Sequence, residues 1–255
     1  MSMNRRDFLK TTAVGTSLGA VVSAGLFAGV ANAAHPEAGD GLAPESAAAA
    51  EELREALAKI DASFGYPAWR ISTEEDLADA RNSLFHSLQH GLEVYLEADS
   101  ARPNFKRFVT PEKKLLGDNP DAVYYHAVVD EHHSYRIRGN IAGATYTSFT
   151  VELGTLDGGN SVGVGASLND TQFDVDKDGN YEIIASATKQ PGNWLELPKG
   201  SGSLSTRHYY EREVGIASDR LHHIPLMIEP LTELPPPPRA TDADLPAALR
   251  RVTKF

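Results

Sequence analysis

Cysteine is absent from this chain of 255 residues. Its absence excludes disulfide bonds, a thiol nucleophile, iron–sulfur clusters and thiolate zinc sites. Any metal ion would therefore need histidine, aspartate or glutamate ligands. The chain also has no phosphate-binding loop, and its paired Gly163 and Gly165 lack the third glycine of a dinucleotide-binding fingerprint. No cofactor and no reaction class can be named from these motifs.

Basic residues are also few, with 24 lysines and arginines against 35 aspartates and glutamates. Residues 1–33 hold three of the basic residues and one of the acidic ones, so the remainder has 21 basic and 34 acidic residues and a net charge near −13. A chain this acidic has no electrostatic footprint for nucleic acid or for an anionic membrane surface. We therefore expect no nucleic-acid partner.

A long and strongly hydrophobic run is missing as well. The apolar stretch Ala13–Val30 is rich in glycine and alanine, follows the sequence RRDFLK at residues 5–10, and precedes the small-residue box at residues 31–33. This pattern is typical of a cleaved twin-arginine export signal. A permanent anchor would need stronger hydrophobicity over a full bilayer crossing. We predict cleavage after Ala33, the twin-arginine export machinery as a partner, a periplasmic or secreted location, and no stable membrane anchor after cleavage.

The chain beyond this signal divides by composition into four parts. A loose segment precedes helical periodicity, a long region of period two follows, and a polyproline run leads to the tail. The predicted parts are a linker at 34–44, a helical N-terminal segment at 45–100, a β-sandwich domain at 101–234, and a polyproline spacer with tail at 235–255.

Two helices are predicted in the N-terminal segment. In the first, over Ala47–Phe64, apolar residues recur every three or four positions. The second, over Thr73–Ala98, begins at a capping box that we assign to Ser72 and Glu75. A short terminal helix is also expected, with Leu245, Leu249 and Val252 along one side.

The central region alternates apolar and polar residues between turns rich in glycine, asparagine and aspartate. Short strands at such intervals are typical of an antiparallel β-sandwich or jelly-roll-like domain. We therefore predict an α+β, mainly β fold with an N-terminal pair of helices. The predicted strands are Ala122–Asp130, Ser134–Gly139, Thr145–Glu152, Gln172–Asp176, Tyr181–Ala187, Leu204–Arg212 and one near His223–Glu229.

The first two of these strands are close enough in sequence to form a hairpin, whose register can be predicted. A slip by one residue would turn arginines toward the core. The favoured register pairs Ala127 with Ile137 and Val129 with Tyr135. It places His126 opposite Arg138, with Arg136 beside them, on the other face of the sheet. Such a group suits a carboxylate, phosphate or sulfate, although an ordinary solvated sheet face would show the same pattern.

Several segments between Gly117 and Tyr210 resemble a known family. They are GDNPDAVYYHAVVD (117–130), SYRIRGN (134–140), YTSFTVE (146–152), LNDTQFDVDKDGNYEI (168–183), PGNWLEL (191–197) and RHYY (207–210). In this order they resemble the bacterial domain-of-unknown-function family twelve-fourteen, whose members are described as β-rich. The resemblance implies a β-sandwich type of fold. It implies no activity and no catalytic residues, and it leaves out the N-terminal helices and the tail.

Two segments carry residues that metals use. Asp174, Asp176 and Asp178 with Gly179 copy the first half of a calcium-binding loop, but position twelve of that loop would be Ala185, and an Asp-Gly pair is also a common tight turn. We favour the turn. On the second helix, residues 86, 90 and 93 are His, His and Glu on one side, a spacing that can hold zinc or form a polar helix flank.

Three functions remain open on these residues. The first is a binding module that takes a small anionic or polyhydroxylated molecule on a sheet face. The second is an extracytoplasmic hydrolase or lyase that uses histidine and carboxylate residues, with or without a metal ion. The third is an interaction protein that uses its acidic surface or the polyproline spacer. For the first function, the candidate ligand-binding residues are His126, Arg136, Arg138, Trp194, Arg207 and Tyr209.

Overall fold

The computed structural model describes residues 44–237, 239 and 241–255. The predicted signal at 1–33 and nearly all of the linker lie outside the described residues. Glu45–Phe255 forms one compact unit. Its helices are α1 (Pro44–Ser63), α2 (Glu74–Gly91) and α3 (Asp244–Lys254); a π-helical turn, Leu92–Leu96, continues α2, and Pro67–Trp69 and Ile216–Ser218 are short 3₁₀ helices.

Nine strands in the described part of the chain form two sheets. The first has five strands in the order β1-β2-β8-β4-β5, and the second has four in the order β7-β6-β3-β9. All pairs are antiparallel except β6 with β7. The strands are β1 (Lys106–Arg107), β2 (Ala122–Val128), β3 (Tyr135–Asn140), β4 (Tyr146–Leu153), β5 (Gly163–Asn169), β6 (Asn180–Ser186), β7 (Trp194–Glu196), β8 (Ser201–Tyr209) and β9 (Leu226–Pro230).

The main core lies between the inner faces of the two sheets. Ile137, Phe149, Ile183 and Leu204 come from four different strands, and each is fully buried there. Alternation along each strand sends the intervening residues to the outer faces. The prediction of an α+β, mainly β fold is therefore confirmed.

A helical layer covers part of the outer face of the five-stranded sheet. Val94 and Tyr95 of the π-helical turn and Val252 of α3 pack against Val128 of β2. β2 is thus buried on both faces, which is unusual for a strand of an antiparallel sandwich. Within the described residues, no helix is both long enough and apolar enough for a transmembrane span.

Both N-terminal helices and the terminal helix occur where periodicity predicts them. The capping box of α2 differs by one residue from the prediction of Ser72 and Glu75. The Thr73 side chain accepts from the backbone N–H of Asp76, and the Asp76 carboxylate accepts from the backbone N–H of Thr73. Thr73 can cap because its backbone is extended while the next residue is helical.

The predicted hairpin between the first two long strands is wrong. β2 pairs with β1 and β8, while β3 pairs with β6 and β9 in the other sheet. At the corner, the Asp130 carboxylate accepts from the backbone N–H groups of His132 and His133, at 2.8 and 3.0 Å, and contacts the His133 ring at 2.8 Å. The two apolar faces meet across the sandwich instead of side by side, which buries the same residues.

Three strands were not predicted, and one predicted strand is not formed. Gly163–Asn169 is rich in glycine and small residues, while β1 and β7 have only two and three residues. Gln172–Asp176 lies outside every strand. Its apolar residue Phe173 is buried in the main core although its backbone joins no sheet. A single apolar residue between polar neighbours gives the same sequence pattern whether it lies in a strand or in a loop that buries one side chain.

Candidate functional site

The six candidate ligand residues separate into two groups on opposite outer faces of the sandwich. Arg136, Arg138 and Trp194 share the outer face of the four-stranded sheet, because Arg136 and Trp194 both align with Ile184. The other three residues, His126, Arg207 and Tyr209, lie on the outer face of the five-stranded sheet, on β2 and β8. The single face with His126, Arg136 and Arg138 that the sequence predicts does not form, since it depended on the wrong hairpin.

On the four-stranded sheet the arginines are already paired with carboxylates. Arg138 lies 3.1 Å from Glu182 and 3.0 Å from Glu229, and Arg136 lies 3.4 Å from each of them. Two guanidinium groups and two carboxylates thus form a neutral ladder across β6, β3 and β9. An added anion would have to compete with both glutamates for these arginines. The arrangement matches the ordinary solvated sheet face that the sequence also allowed beside an anion site.

Trp194 is held by its own strand neighbours. Its indole Nε1–H donates to the backbone oxygen of Ser186 at 3.2 Å and contacts the Ser186 hydroxyl at 3.1 Å. The indole is half-buried on the same face as the ladder. The indole N–H is therefore already hydrogen-bonded, and the ring lies on β7, the edge strand of this sheet.

His126 lies on the same outer sheet face as Arg207, but other side chains cover it. Its side chain is 8% exposed, and the ring stacks on Phe108 with 5.3 Å between ring centres. Burial and the nearby His90 lower the pKa of His126 to about 4. The imidazole is therefore neutral and belongs to the layer between β2 and the helices. The sequence could not show this, because the covering residues come from a distant helix and a loop.

Arg207 and Tyr209 border a cleft of about 360 Å³ on the exposed part of the five-stranded sheet. Tyr146, Ser148 and Thr150 from β4 line it, with Ser167 and Asn169 from β5. The rings of Tyr146 and Tyr209 meet edge to face with 5.8 Å between their centres. The walls thus combine two aromatic rings with hydroxyl and amide groups.

Among the described residues, Arg207 is the only charged one that lines this cleft. Its Nη1 donates to the hydroxyl of Thr150 at 3.3 Å, and among the described residues it has no carboxylate partner. Glu152, on the same face, lies two positions beyond Thr150 along β4, about 7 Å by the strand rise, and accepts from Ser205. Within the part of the chain that the structure describes, the guanidinium therefore has no carboxylate at ion-pair distance.

Tyr124 extends this polar surface beside Arg207, its register partner on β8. Burial raises the pKa of Tyr124, although a hydrogen bond from the backbone N–H of Asn119 and the charge of Arg207 act in the opposite direction. The neighbouring Tyr209 side chain also raises the pKa of Tyr124. The Tyr124 phenol stays neutral at physiological pH and can donate a hydrogen bond.

Sequence reasoning identified Arg207 and Tyr209 but missed the other walls of the cleft. Tyr146, Ser148 and Thr150 occupy alternate positions of a strand that was predicted correctly, and that alternation placed them together on one face. The sequence did not show that β4 and β8 are adjacent strands. It therefore gave no reason to place these hydroxyl groups beside Arg207.

The three residues whose spacing can hold zinc, two on α2 and one in the π-helical turn, have separate neighbours in the structure. His90 is fully buried, its ring nitrogens have no hydrogen-bond partner among the residues that the structure describes, and burial together with Lys113 lowers its pKa to about 4. His86 accepts from the backbone N–H of Lys114 at 3.3 Å, and Glu93 forms an ion pair with Lys113. In the described part of the chain, no three His, Asp or Glu residues are arranged to hold a metal ion.

The aspartate-rich segment forms the tight turn that the Asp-Gly pair predicts. The Asp176 carboxylate accepts from the backbone N–H groups of Asp178 and Asn180 at 2.9 and 2.8 Å. Gly179 has a φ of 83°, a conformation that favours glycine. The Asp176 carboxylate thus stabilises the turn that leads into β6.

No family model matches the chain, and no curated protein matches it. Among solved structures, an uncharacterized protein from Burkholderia cenocepacia is similar, with 24% identity and a TM-score of 0.67 over 82% of this chain and 56% of that one. A protein from Vibrio parahaemolyticus matches with 15% identity and a TM-score of 0.30 over 70% of this chain and 51% of that one. The chain spans little more than half the length of either protein. The Burkholderia structure supports the β-rich fold alone.

Proposed function

We propose that this protein binds a small anion that carries hydroxyl groups, such as a sugar acid, in the cleft beside Arg207. The observation that carries the proposal is a guanidinium with no ion pair among the described residues, in a cleft that is otherwise lined by uncharged residues. A planar guanidinium suits carboxylate and phosphate oxygens, to which it can donate two parallel hydrogen bonds. The sequence led us to expect a binding site on a sheet face. The proposed site is on a sheet face, but on β4, β5 and β8 instead of on the predicted hairpin.

The other walls favour a polyhydroxylated ligand over a bare inorganic anion. Ser148, Thr150 and Ser167 offer hydroxyl groups that both donate and accept, and Asn169 adds an amide. The edge-to-face pair of Tyr146 and Tyr209 offers apolar ring surface next to phenol groups. In a protein whose net charge is strongly negative, a local positive spot is also needed to keep an anion from being repelled.

Calorimetric titration with D-galacturonate, D-gluconate and inorganic phosphate tests the proposal. We expect a sugar acid to bind, and Arg207→Ala to weaken that binding by about tenfold or more, the scale of one lost charge-assisted hydrogen bond. Arg207→Lys should recover only part of the loss, because an ammonium group cannot make the bidentate contact. D-galactose, which lacks the carboxylate, should bind more weakly than D-galacturonate.

Arg138→Ala is the matched control, because Arg138 lies on the opposite outer face and is paired with two glutamates. This variant should bind the sugar acid as the unchanged protein does. Failure of all three anions to bind, equal binding of D-galactose, or an equal loss in both alanine variants would each contradict the proposal.

We further propose that the cleft works outside the cytoplasm after twin-arginine export. The support is the RRDFLK sequence at residues 5–10 and the small-residue box at 31–33. Changing Arg5 and Arg6 together to lysine should retain the protein in the cytoplasm, as measured by cell fractionation. N-terminal sequencing of the exported protein should start at Ala34, and an intact Met1 or Ser2 would argue against cleavage.

A further inference from the structure

An apolar groove of about 570 Å³ separates α1 from α2 on the side of the molecule that carries the helices. Leu53, Leu57 and Ile60 line it from α1, and Leu84 and Leu88 from α2. At one position Phe64 and Trp69 meet edge to face with 5.7 Å between ring centres. The two apolar stripes that periodicity predicted thus face each other across a groove.

Phe64 and Leu84 are buried, but two of the apolar side chains that line the groove are exposed. Trp69 and Ile60 are 55% and 42% exposed, although both line the groove. α1 is connected to its neighbours by ion pairs: Asp61 with Arg81 of α2, and Glu52 with Arg250 of α3. Exposed ion pairs contribute about 0–1 kcal/mol each, whereas helices are stabilised mainly by burial of an apolar face. A groove with exposed apolar side chains along it suits the apolar side of a partner helix.

Acidic residues outnumber basic ones around the groove. α1 contains five acidic and two basic residues, and α2 contains four acidic residues and one arginine. Asp76 and Asp79 line the groove together with one cation, Arg70, and Glu74 and Glu75 are exposed in the first turn of α2. The charge beside the groove is therefore negative on balance, and a partner with positive charge next to its apolar groups would complement it.

We propose that this groove binds a basic amphipathic helix of a partner protein. A helix presents apolar side chains at positions i, i+3, i+4 and i+7, and such a row can lie against the apolar residues of α1 and α2 that line the groove. Lysine and arginine residues on the flanks of that helix would lie near the acidic residues beside the groove. This surface is separate from the cleft at Arg207, so the two proposals can fail independently.

The test uses two synthetic peptides of about 14 residues, with leucine at the four repeating positions and either lysine or glutamate at all others. Fluorescence anisotropy with the purified full-length protein measures binding of each labelled peptide. We expect the lysine peptide to bind and the glutamate peptide to bind at least about tenfold more weakly, because its charges face the acidic residues beside the groove.

Matched variants locate the bound peptide. Ile60→Ser removes apolar surface inside the groove from a side chain that is already 42% exposed, so the fold should persist. It should weaken binding about tenfold, the effect of losing one apolar anchor. Phe85→Ser is the control, because Phe85 is 60% exposed on α2 and does not line the groove. Asp79→Asn should weaken binding, while Asp178→Asn, on the turn before β6, should not.

Four outcomes would overturn the proposal. The first is equal binding of the two peptides. The second is an equal effect of Ile60→Ser and Phe85→Ser, or of the two aspartate variants, which would indicate non-specific attraction. The third is a dimer of the peptide-free protein in light scattering that Ile60→Ser abolishes, which would make a second copy the occupant. The fourth is competition of phosphatidylcholine vesicles with the lysine peptide for the groove.

Discussion

Replacing Ile137 by aspartate should prevent the protein from folding. Ile137 has no exposed surface, and its register partners Ile183 and Ile228 are also buried in the core between the sheets. An aspartate there would be a charge with no partner in an apolar environment, at a cost of several kcal/mol. That cost is comparable with the whole stability of a typical domain, about 5–15 kcal/mol. Circular dichroism and chemical denaturation should show an unfolded protein or one with a greatly lowered midpoint.

Arg138→Ala is the control on the adjacent residue, whose side chain points to the opposite face. Arg138 is exposed, and its ion pairs with Glu182 and Glu229 lie in solvent. Loss of such pairs changes the free energy of unfolding by about 1 kcal/mol or less. If the aspartate variant folded normally and the alanine variant did not, the inner and outer faces of β3 would be assigned in reverse.

Acid should destabilise the protein well above the pH at which carboxylates titrate. His90, His126 and His208 are buried on both sides of the five-stranded sheet, and burial lowers the pKa of each to about 4. In the unfolded chain each would titrate near 6.5. Between these values the unfolded state binds protons that the folded state refuses. Stability is therefore complete above about pH 6.5 and falls as the pH drops toward 4.

The size of this effect makes it easy to measure. Each pKa unit corresponds to about 1.4 kcal/mol, so each histidine contributes about 3 kcal/mol across the full interval. Urea denaturation at a series of pH values gives the free energy of unfolding, and its slope against pH gives the number of protons taken up on unfolding. We expect that number to approach three between pH 6.5 and 4.

His90→Leu separates this histidine effect from general acid sensitivity. Both ring nitrogens of His90 lack hydrogen-bond partners and the ring packs against Phe108, so an apolar replacement loses no hydrogen bond. The variant should take up about one proton fewer on unfolding. His132→Leu is the control, because that side chain is 78% exposed and lies in solvent in both states. An unchanged slope in His90→Leu would show that His90 takes up its proton as readily in the folded protein as in the unfolded chain.

Alternation and helical periodicity in the sequence determined which side of each long strand is apolar and where the main helices lie. Ile137 is buried and Arg138 is exposed, as the pattern of residues 134–139 requires. These features are local, since side-chain direction in a strand depends only on the backbone of that strand. The same alternation places Arg207 and Tyr209 on one face of β8.

Only the tertiary structure decided which strands are neighbours, and with that the character of each site. Packing β2 and β3 face to face buries the same apolar residues as pairing them edge to edge, so alternation could not distinguish the two arrangements. That choice placed Glu182 and Glu229 beside Arg136 and Arg138, and hydroxyl groups without a carboxylate beside Arg207. It also brought a helix and Phe108 over His126. Whether a charge is neutralised, free or covered depends on residues distant in sequence, and no local pattern carries that information.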